Sequence, residues 1–330
     1  LEPSITEKVE LLSAGVERCM NENRVLHTNN AFGALTLDVI TDYCFGEGVG
    51  CLSTQEFAPE WQRFFRDMLS IVPFLRSWGW IVRKREKLPQ WLLRHIFPDI
   101  EQLVIMKGTI RSSKIDAIFA EREKEGANVR ILGAEASVVE DENNEPKSPR
   151  EHRTIFHDIL DSCVFPPEDK AKWRLAEEAF GLVVAGSFTT GTALSNLTYH
   201  LHANPEWLIK LRGELDQLMP NPDKLASATE LERLPVFKAC IKESLRISGL
   251  FTDRLAFQEP DEVLYYQDWA IPAGTPVSMS IYTLHADEEI WYEPFEFRPE
   301  RWLEESGTTF HLEKYFAPFS RGTRACIGSN

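Results

Sequence analysis

The sequence predicts a mostly α fold of the α+β class, a helical bundle with a small β region. Three observations carry that expectation. From Leu1 to about Ile118, apolar residues recur at three- and four-residue spacing without sustained alternation, the period of a half-buried helix. A longer helical stretch runs from Glu168 to about Ala203, with shorter ones near Glu206 to Leu218 and Leu234 to Ile247. After Leu250 the pattern breaks into short runs and turns: Glu262 to Tyr266, the turn Ile271-Pro272-Ala273-Gly274-Thr275, and Val277 to Tyr282, the runs reading as short strands.

At 330 residues and 43% hydrophobic content the chain can bury a sizeable core. A net charge of -15 and a pI near 5.1 exclude nucleic acid as the main partner, because phosphate binding needs clustered cations. The six cysteines, Cys19, Cys44, Cys51, Cys163, Cys240 and Cys326, lie far apart without C-x-x-C pairs. That fits a reducing compartment better than a disulfide framework. No stretch reaches the roughly 18 apolar residues that span a bilayer.

Along the chain, Leu1 to Leu12 reads as an amphipathic helix already under way, and the last residues follow directly on a motif, so a sequence cut at both ends is expected. Between Trp61 and Pro98, Phe64, Phe65, Phe74, Trp78, Trp80 and Trp91 are interleaved with Arg76, Arg83, Lys84, Arg85 and Arg94. Two readings stay open there: core helices joined by a basic turn, or a peripheral surface for anionic lipid. Residues Arg130 to Arg150 lose periodicity and gain charge, Asn, Pro and Ser, the composition of a flexible connector inside a single domain over 1–330. Pro294 to Phe319, rich in aromatics, Pro and charge, is a compact irregular segment before the last loop.

That loop, Phe319-Ser320-Arg321-Gly322-Thr323-Arg324-Ala325-Cys326-Ile327-Gly328, fits F-x-x-G-x-R-x-C-x-G at every fixed position. From ordinary residue frequencies, a chance match in a chain this long has odds on the order of one in ten thousand. Its glycines permit the tight bend that brings a cysteine sulfur to a metal with N–H groups turned toward it. Upstream, Glu243-Ser244-Leu245-Arg246 sets an acid and a base one helical turn apart. The same spacing at Glu60/Arg63 and Glu230/Arg233 suits an ordinary solvated face. The order of segments gives the first pair its weight: Glu243 to Arg246, then Phe297-Arg298-Pro299-Glu300-Arg301-Trp302, then the cysteine loop. Within the long helix, Ala185-Gly186-Ser187-Phe188-Thr189-Thr190-Gly191-Thr192 gathers poor helix formers, each Gly costing up to about 1 kcal/mol relative to Ala. Such a conflict marks either close packing or a functional site.

Together these segments resemble the cytochrome P450 family, most specifically from His157 to Gly328, and within it the fungal secondary-metabolite members of the trichodiene-oxygenase-like type. The resemblance implies a P450 fold, incomplete at both ends, holding haem b with the Cys326 thiolate as axial ligand to the iron. It implies that Phe319, Gly322, Arg324 and Gly328 shape the cofactor loop, and that Arg324 and Arg254 meet the haem propionates. Glu243, Arg246 and Arg301 would form a structural network bracing that loop. Gly186 would let oxygen and substrate approach. Thr189 would take the oxygen-activating position of the family's A-G-x-[DE]-T-[TS], in which Phe188 here replaces the acid. His285 and Asp287 fall in a family segment where the histidine faces either a propionate or the protein core.

The activity so implied is insertion of one oxygen atom from dioxygen into a small apolar substrate, a secondary metabolite such as a terpenoid. Electrons would come from NADPH through NADPH-cytochrome P450 reductase, at the cytosolic face of the endoplasmic reticulum membrane, with peripheral membrane contact. Two other classes stay open. A haem-thiolate isomerase or dehydratase needs neither reductase nor dioxygen, and the loss of the acid at Phe188 points that way. An inactive truncated fragment is the other.

Overall fold

The computed structural model describes residues 2–77, 108, 114–123, 154–221, 224–250, 252–303, 307 and 309–329. The basic turn at Arg83 to Arg85 and the connector over 130–150 lie outside the described residues. The chain divides into two compact units, Leu1–Gly191 and Thr192–Asn330. No helix among the described residues is long and apolar enough to cross a membrane.

In the first unit, α1 (Glu2–Asn21) buries Leu12, Gly15 and Cys19, a stripe at three- and four-residue spacing. The next helix, α2 (Thr28–Phe45), has no such stripe. Ala31, Leu35, Leu37, Asp38, Thr41 and Cys44 are among the residues it buries around its circumference, as a helix enclosed by others must. It ends where Gly46 turns left-handed (φ 74°) and donates its N–H to the Asp42 carbonyl. Phe64 and Phe65 of α3 (Pro59–Ser77) are buried, so this part of the aromatic stretch is core. Helical residues 116–123 and the helix Ile155–Asp161 follow, and a 3-10 turn, Pro167–Lys170, leads into the long helix Lys172–Ala203.

The poor helix formers of the long helix meet α2. A Cβ on Gly191 would lie 3.0 Å from the Gly33 Cα, and one on Gly186 would lie 2.8 Å from Ile40 Cγ1. Thr36 Oγ1 donates to the Ser187 carbonyl at 2.8 Å. Small residues let the two backbones approach, and the packing so gained offsets the deficit in helix propensity.

In the second unit, the helices Pro205–Leu218 and Pro235–Ile247 share an apolar cluster of Leu201, Trp207, Leu211, Cys240 and Phe297. The second of them begins at Pro235 after Leu234, which offers no capping side chain. Glu214 caps it from outside, accepting the N–H groups of Val236 (2.9 Å) and Phe237 (3.0 Å) that would otherwise lack partners.

Four short strands follow: β1 (Leu255–Phe257), β2 (Leu264–Tyr266), β3 (Trp269–Ile271) and β4 (Val277–Met279). β1 pairs antiparallel with β4, Phe257 opposite Val277; β2 and β3 form a hairpin over Gln267, at φ 51°, and Asp268. The turn before β4 is present, with Gly274 at φ 77°. Two expectations change. Trp269–Ile271 is a strand the sequence reading lacked, Ile271 being assigned there to the turn. The run Val277 to Tyr282 is not one strand: pairing stops at Met279, and Ser280 Oγ accepts the Thr283 N–H (3.3 Å) to start the helix Ile281–His285.

Candidate functional site

The helix Pro235–Ile247 turns Glu243 and Arg246 to its buried face, where they are 0% and 2% exposed; this decides against a solvated pair. Glu243 Oε1 accepts from Arg246 Nη2 (2.8 Å), Arg301 Nε (3.1 Å) and the Arg298 backbone N–H (3.1 Å). Its Oε2 accepts from Arg246 Nε (3.0 Å) and Trp302 Nε1 (2.8 Å). Arg246 Nη1 donates to the His285 carbonyl (2.7 Å), and Arg301 Nη1 to that of Tyr292 (2.9 Å). One carboxylate serves both guanidinium groups, so neither buried cation lacks an opposite charge. The network of Glu243, Arg246 and Arg301 is therefore present, with Trp302 and the Arg298 backbone added to it.

Aromatic rings enclose the cluster. The Arg246 guanidinium lies 5.2 Å from the Trp291 ring centroid, and Trp302 lies between Trp291 (5.6 Å) and Phe316 (4.8 Å). His285 is 4% exposed, stacked on Phe316 at 5.8 Å and edge-on to Trp291, so of its two readings the core one holds. Burial, with Arg246 nearby, pushes its imidazole down to about 4.

The cysteine loop starts beyond Phe316. Ser320 is left-handed at φ 63° and Gly322 at φ 81°, a 3-10 turn spans Gly322–Arg324, and the Cys326 N–H donates back to the Phe319 carbonyl at 2.8 Å. The chain thus doubles back so that Cys326 and Arg324 are both exposed, with Ile327 at 84%. A Cβ on Gly328 would sit 3.8 Å from the Cys326 sulfur, and one on Gly322 would meet nothing within 4 Å. Arg254 lies exposed between the Glu243 helix and β1. Cys19, Cys44, Cys51 and Cys240 are buried; burial pushes the Cys44 and Cys240 thiols up to about 12 and raises that of Cys51. Cys44, Cys51 and Cys240 therefore hold little thiolate at neutral pH.

In the first unit, Gly186 and Thr189 sit on the long helix. Gly186 has the packing reason given above, its missing side chain facing Ile40. Thr189 Oγ1 donates to the Ala185 carbonyl at 2.7 Å. Phe188, between them, is half-buried.

The residues of the second unit fit a haem. An exposed soft sulfur stands on a loop whose glycines leave room beside it, and cations at Arg324 and Arg254 match the charge of propionates. A mostly helical chain with such a loop behind a buried Glu-Arg-Arg cluster defines the haem-thiolate class. The sequence matches the cytochrome P450 family over residues 1–330, and the chain belongs to that family. It is similar to cytochrome P450 monooxygenase TRI4 of Trichoderma arundinaceum, 33% identical over 99% of this chain and 59% of that protein. It is also similar to cytochrome P450 monooxygenase sdnE of Sordaria araneosa, 32% identical over 100% of this chain and 62% of that protein. N-acetyltryptophan 6-hydroxylase ivoC of Emericella nidulans is 34% identical over 90% of this chain and 54% of that protein. The chain spans less than two thirds of the length of these relatives.

Sequence reasoning missed Trp302 as a ligand of Glu243, although an indole N–H next to Arg301 was a signal, since buried indoles seek acceptors. It also missed Asp38, an acid among Leu and Val within α2 whose carboxylate organises the following loop.

Proposed function

We propose that the protein is a haem-thiolate monooxygenase that inserts one oxygen atom from dioxygen into a small apolar substrate, a fungal secondary metabolite such as a terpenoid. The observation that carries this reading is the exposed Cys326 on a glycine-bent loop, closed by its own N–H onto Phe319, with Arg324 on the turn before it. Family membership supports it, as do relatives named as monooxygenases and one named as a 6-hydroxylase of N-acetyltryptophan. Bound haem supplies the iron at which dioxygen is activated, and in this family a thiolate ligand pushes electron density toward it. Cys326 Sγ is the ligand, and Arg324 and Arg254 hold the propionates. Thr189 Oγ1, its hydrogen given to Ala185, keeps lone pairs that can accept a hydrogen bond. Electrons come from NADPH through NADPH-cytochrome P450 reductase, and the complete protein works at the cytosolic face of the endoplasmic reticulum membrane.

The test is the carbon monoxide spectrum of the reduced, haem-loaded chain, in which a thiolate-type Soret shift is expected. Cys326→Ser should abolish it, whereas Cys163→Ser, at the other exposed cysteine, should leave it intact. A shift that survives in Cys326→Ser rules out the assignment. A chain that retains no haem would favour an inactive fragment.

The isomerase or dehydratase reading has one observation in its favour, the phenyl ring at Phe188, which cannot move a proton. On the monooxygenase reading, Phe188→Glu should lower the hydrogen peroxide released per NADPH by about tenfold to a hundredfold at matched haem content, the gain from one general acid. Unchanged peroxide release would mean either that another relay delivers the proton or that the isomerase reading gains ground.

A further inference from the structure

We propose that His285 is the positioning residue that ties the cysteine loop to the buried Glu243 cluster, its neutral imidazole accepting the Ala317 N–H through Nε2. The idea rests on the haem-thiolate reading for the purpose of the loop, though not for the bond itself. Both ends of the tie are fixed. Arg246, held by Glu243, donates Nη1 to the His285 carbonyl at 2.7 Å, so the backbone of His285 is pinned from the cluster. Its ring is clamped between Phe316 and Trp291, and Trp291 is itself anchored by Nε1 donating to the Leu284 carbonyl at 2.9 Å.

From this ring the order passes outward through hydrogen bonds. The Ala317 N–H reaches His285 Nε2 at 3.0 Å. The Ser320 N–H then donates to the Ala317 carbonyl at 3.0 Å, and the Cys326 N–H to the Phe319 carbonyl at 2.8 Å. Pro318 restricts Ala317 to extended backbone, which limits the ways its N–H can point. Arg321 makes a second tie, Nη2 donating to the carbonyls of Glu313 and Phe316, but it is exposed. A hydrogen bond at a buried ring cannot trade its partner for water, so it holds where the exposed one slips. Only an unprotonated nitrogen accepts, and burial, which pushes the imidazole down to about 4, keeps Nε2 an acceptor at neutral pH.

The decisive comparison is His285→Phe, which keeps a ring for Phe316 and Trp291 without the acceptor, against His285→Gln, whose amide oxygen reaches where Nε2 stood. Amide hydrogen exchange on the full chain should rise about tenfold at Ala317, Ser320 and Cys326 in His285→Phe, the effect of one lost hydrogen bond. It should stay unchanged along the helix Pro235–Ile247 and return to the wild-type rate in His285→Gln. In the haem-loaded chain, the fraction of the reduced carbon monoxide complex with a thiolate-type band should fall in His285→Phe and recover in His285→Gln. Should His285→Phe fail to fold, His285→Asn must loosen the same amides, since its oxygen takes the place of Nδ1 and falls short of Ala317. Unchanged exchange at the loop, a rise spread evenly over the unit, or no recovery in His285→Gln overturns the proposal. A wild-type chain without any thiolate-type band would instead sink the haem reading, while the exchange pattern still decides the role of His285.

Discussion

Glu243→Ala is expected to destabilise the second unit by about 3–5 kcal/mol, because it leaves two guanidinium groups buried without their counter-charge. Arg246 and Arg301 would keep their carbonyl partners but lose the carboxylate, and the Trp302 indole and the Arg298 amide would lose their acceptor. Burial already pulls Arg301 below its ordinary value against the opposing pull of Glu243, so without the carboxylate its charged form is disfavoured further. Trp291 and Trp302 flank the site and contribute to the tryptophan fluorescence that follows the transition in a urea titration. Glu243→Gln keeps the shape but turns an NH2 toward donors, so it should lie close to Ala. Glu60→Ala, with the same Glu/Arg spacing at an exposed position, is the control and should not move the midpoint. A loss of under about 1 kcal/mol in Glu243→Ala would show that the cluster is not what holds the cysteine loop's foundation.

What could be read from the sequence was local or carried by motif order. The apolar spacing of α1, the helix that ends at Ile247 and the run to Ala203 are helix-period signals, and the structure places helices there. Glu243, Arg246 and Arg301 could be joined before any coordinates because the segments occur in the order of a family pattern. Contacts between residues far apart were not legible. Nothing around Gly186 names Ile40 as its neighbour, and nothing around Pro235 names Glu214 as the missing cap. The strand reading that ran on to Tyr282 failed at Ser280 for a related reason. Alternation continues past that residue, but its hydroxyl stabilises a helix start once the pairing with Leu255 is used up. His285 divided evenly between propionate and core because its neighbours in space, Phe316 and Ala317, lie some thirty residues on.

Asp38→Ala should destabilise the first unit by about 3–5 kcal/mol, although Asp38 belongs to no motif. The carboxylate, 2% exposed in the middle of α2, turns outward from the helix to the loop after Gly46. Its Oδ1 accepts the N–H groups of Gly50 (2.8 Å) and Cys51 (3.0 Å), and its Oδ2 accepts that of Leu52 (2.9 Å). Gly50 stands at φ 83°, a conformation that lets successive amides converge on one anion. Thr41, one turn on, takes the Val49 N–H at 3.2 Å, so the loop is stitched to α2 along one edge. Alanine would strand these N–H groups beside Cys51 and Leu52, both buried, at about 1–3 kcal/mol each, partly relieved as the loop lifts toward water. Asn should be intermediate: its oxygen still serves one side of the loop, while its NH2 opposes a donor on the other. Hydrogen exchange at residues 50–52 and the urea midpoint of the unit check both variants. Fast exchange there with an unmoved midpoint would mean that the loop opens independently and that Asp38 orders it without holding the unit together.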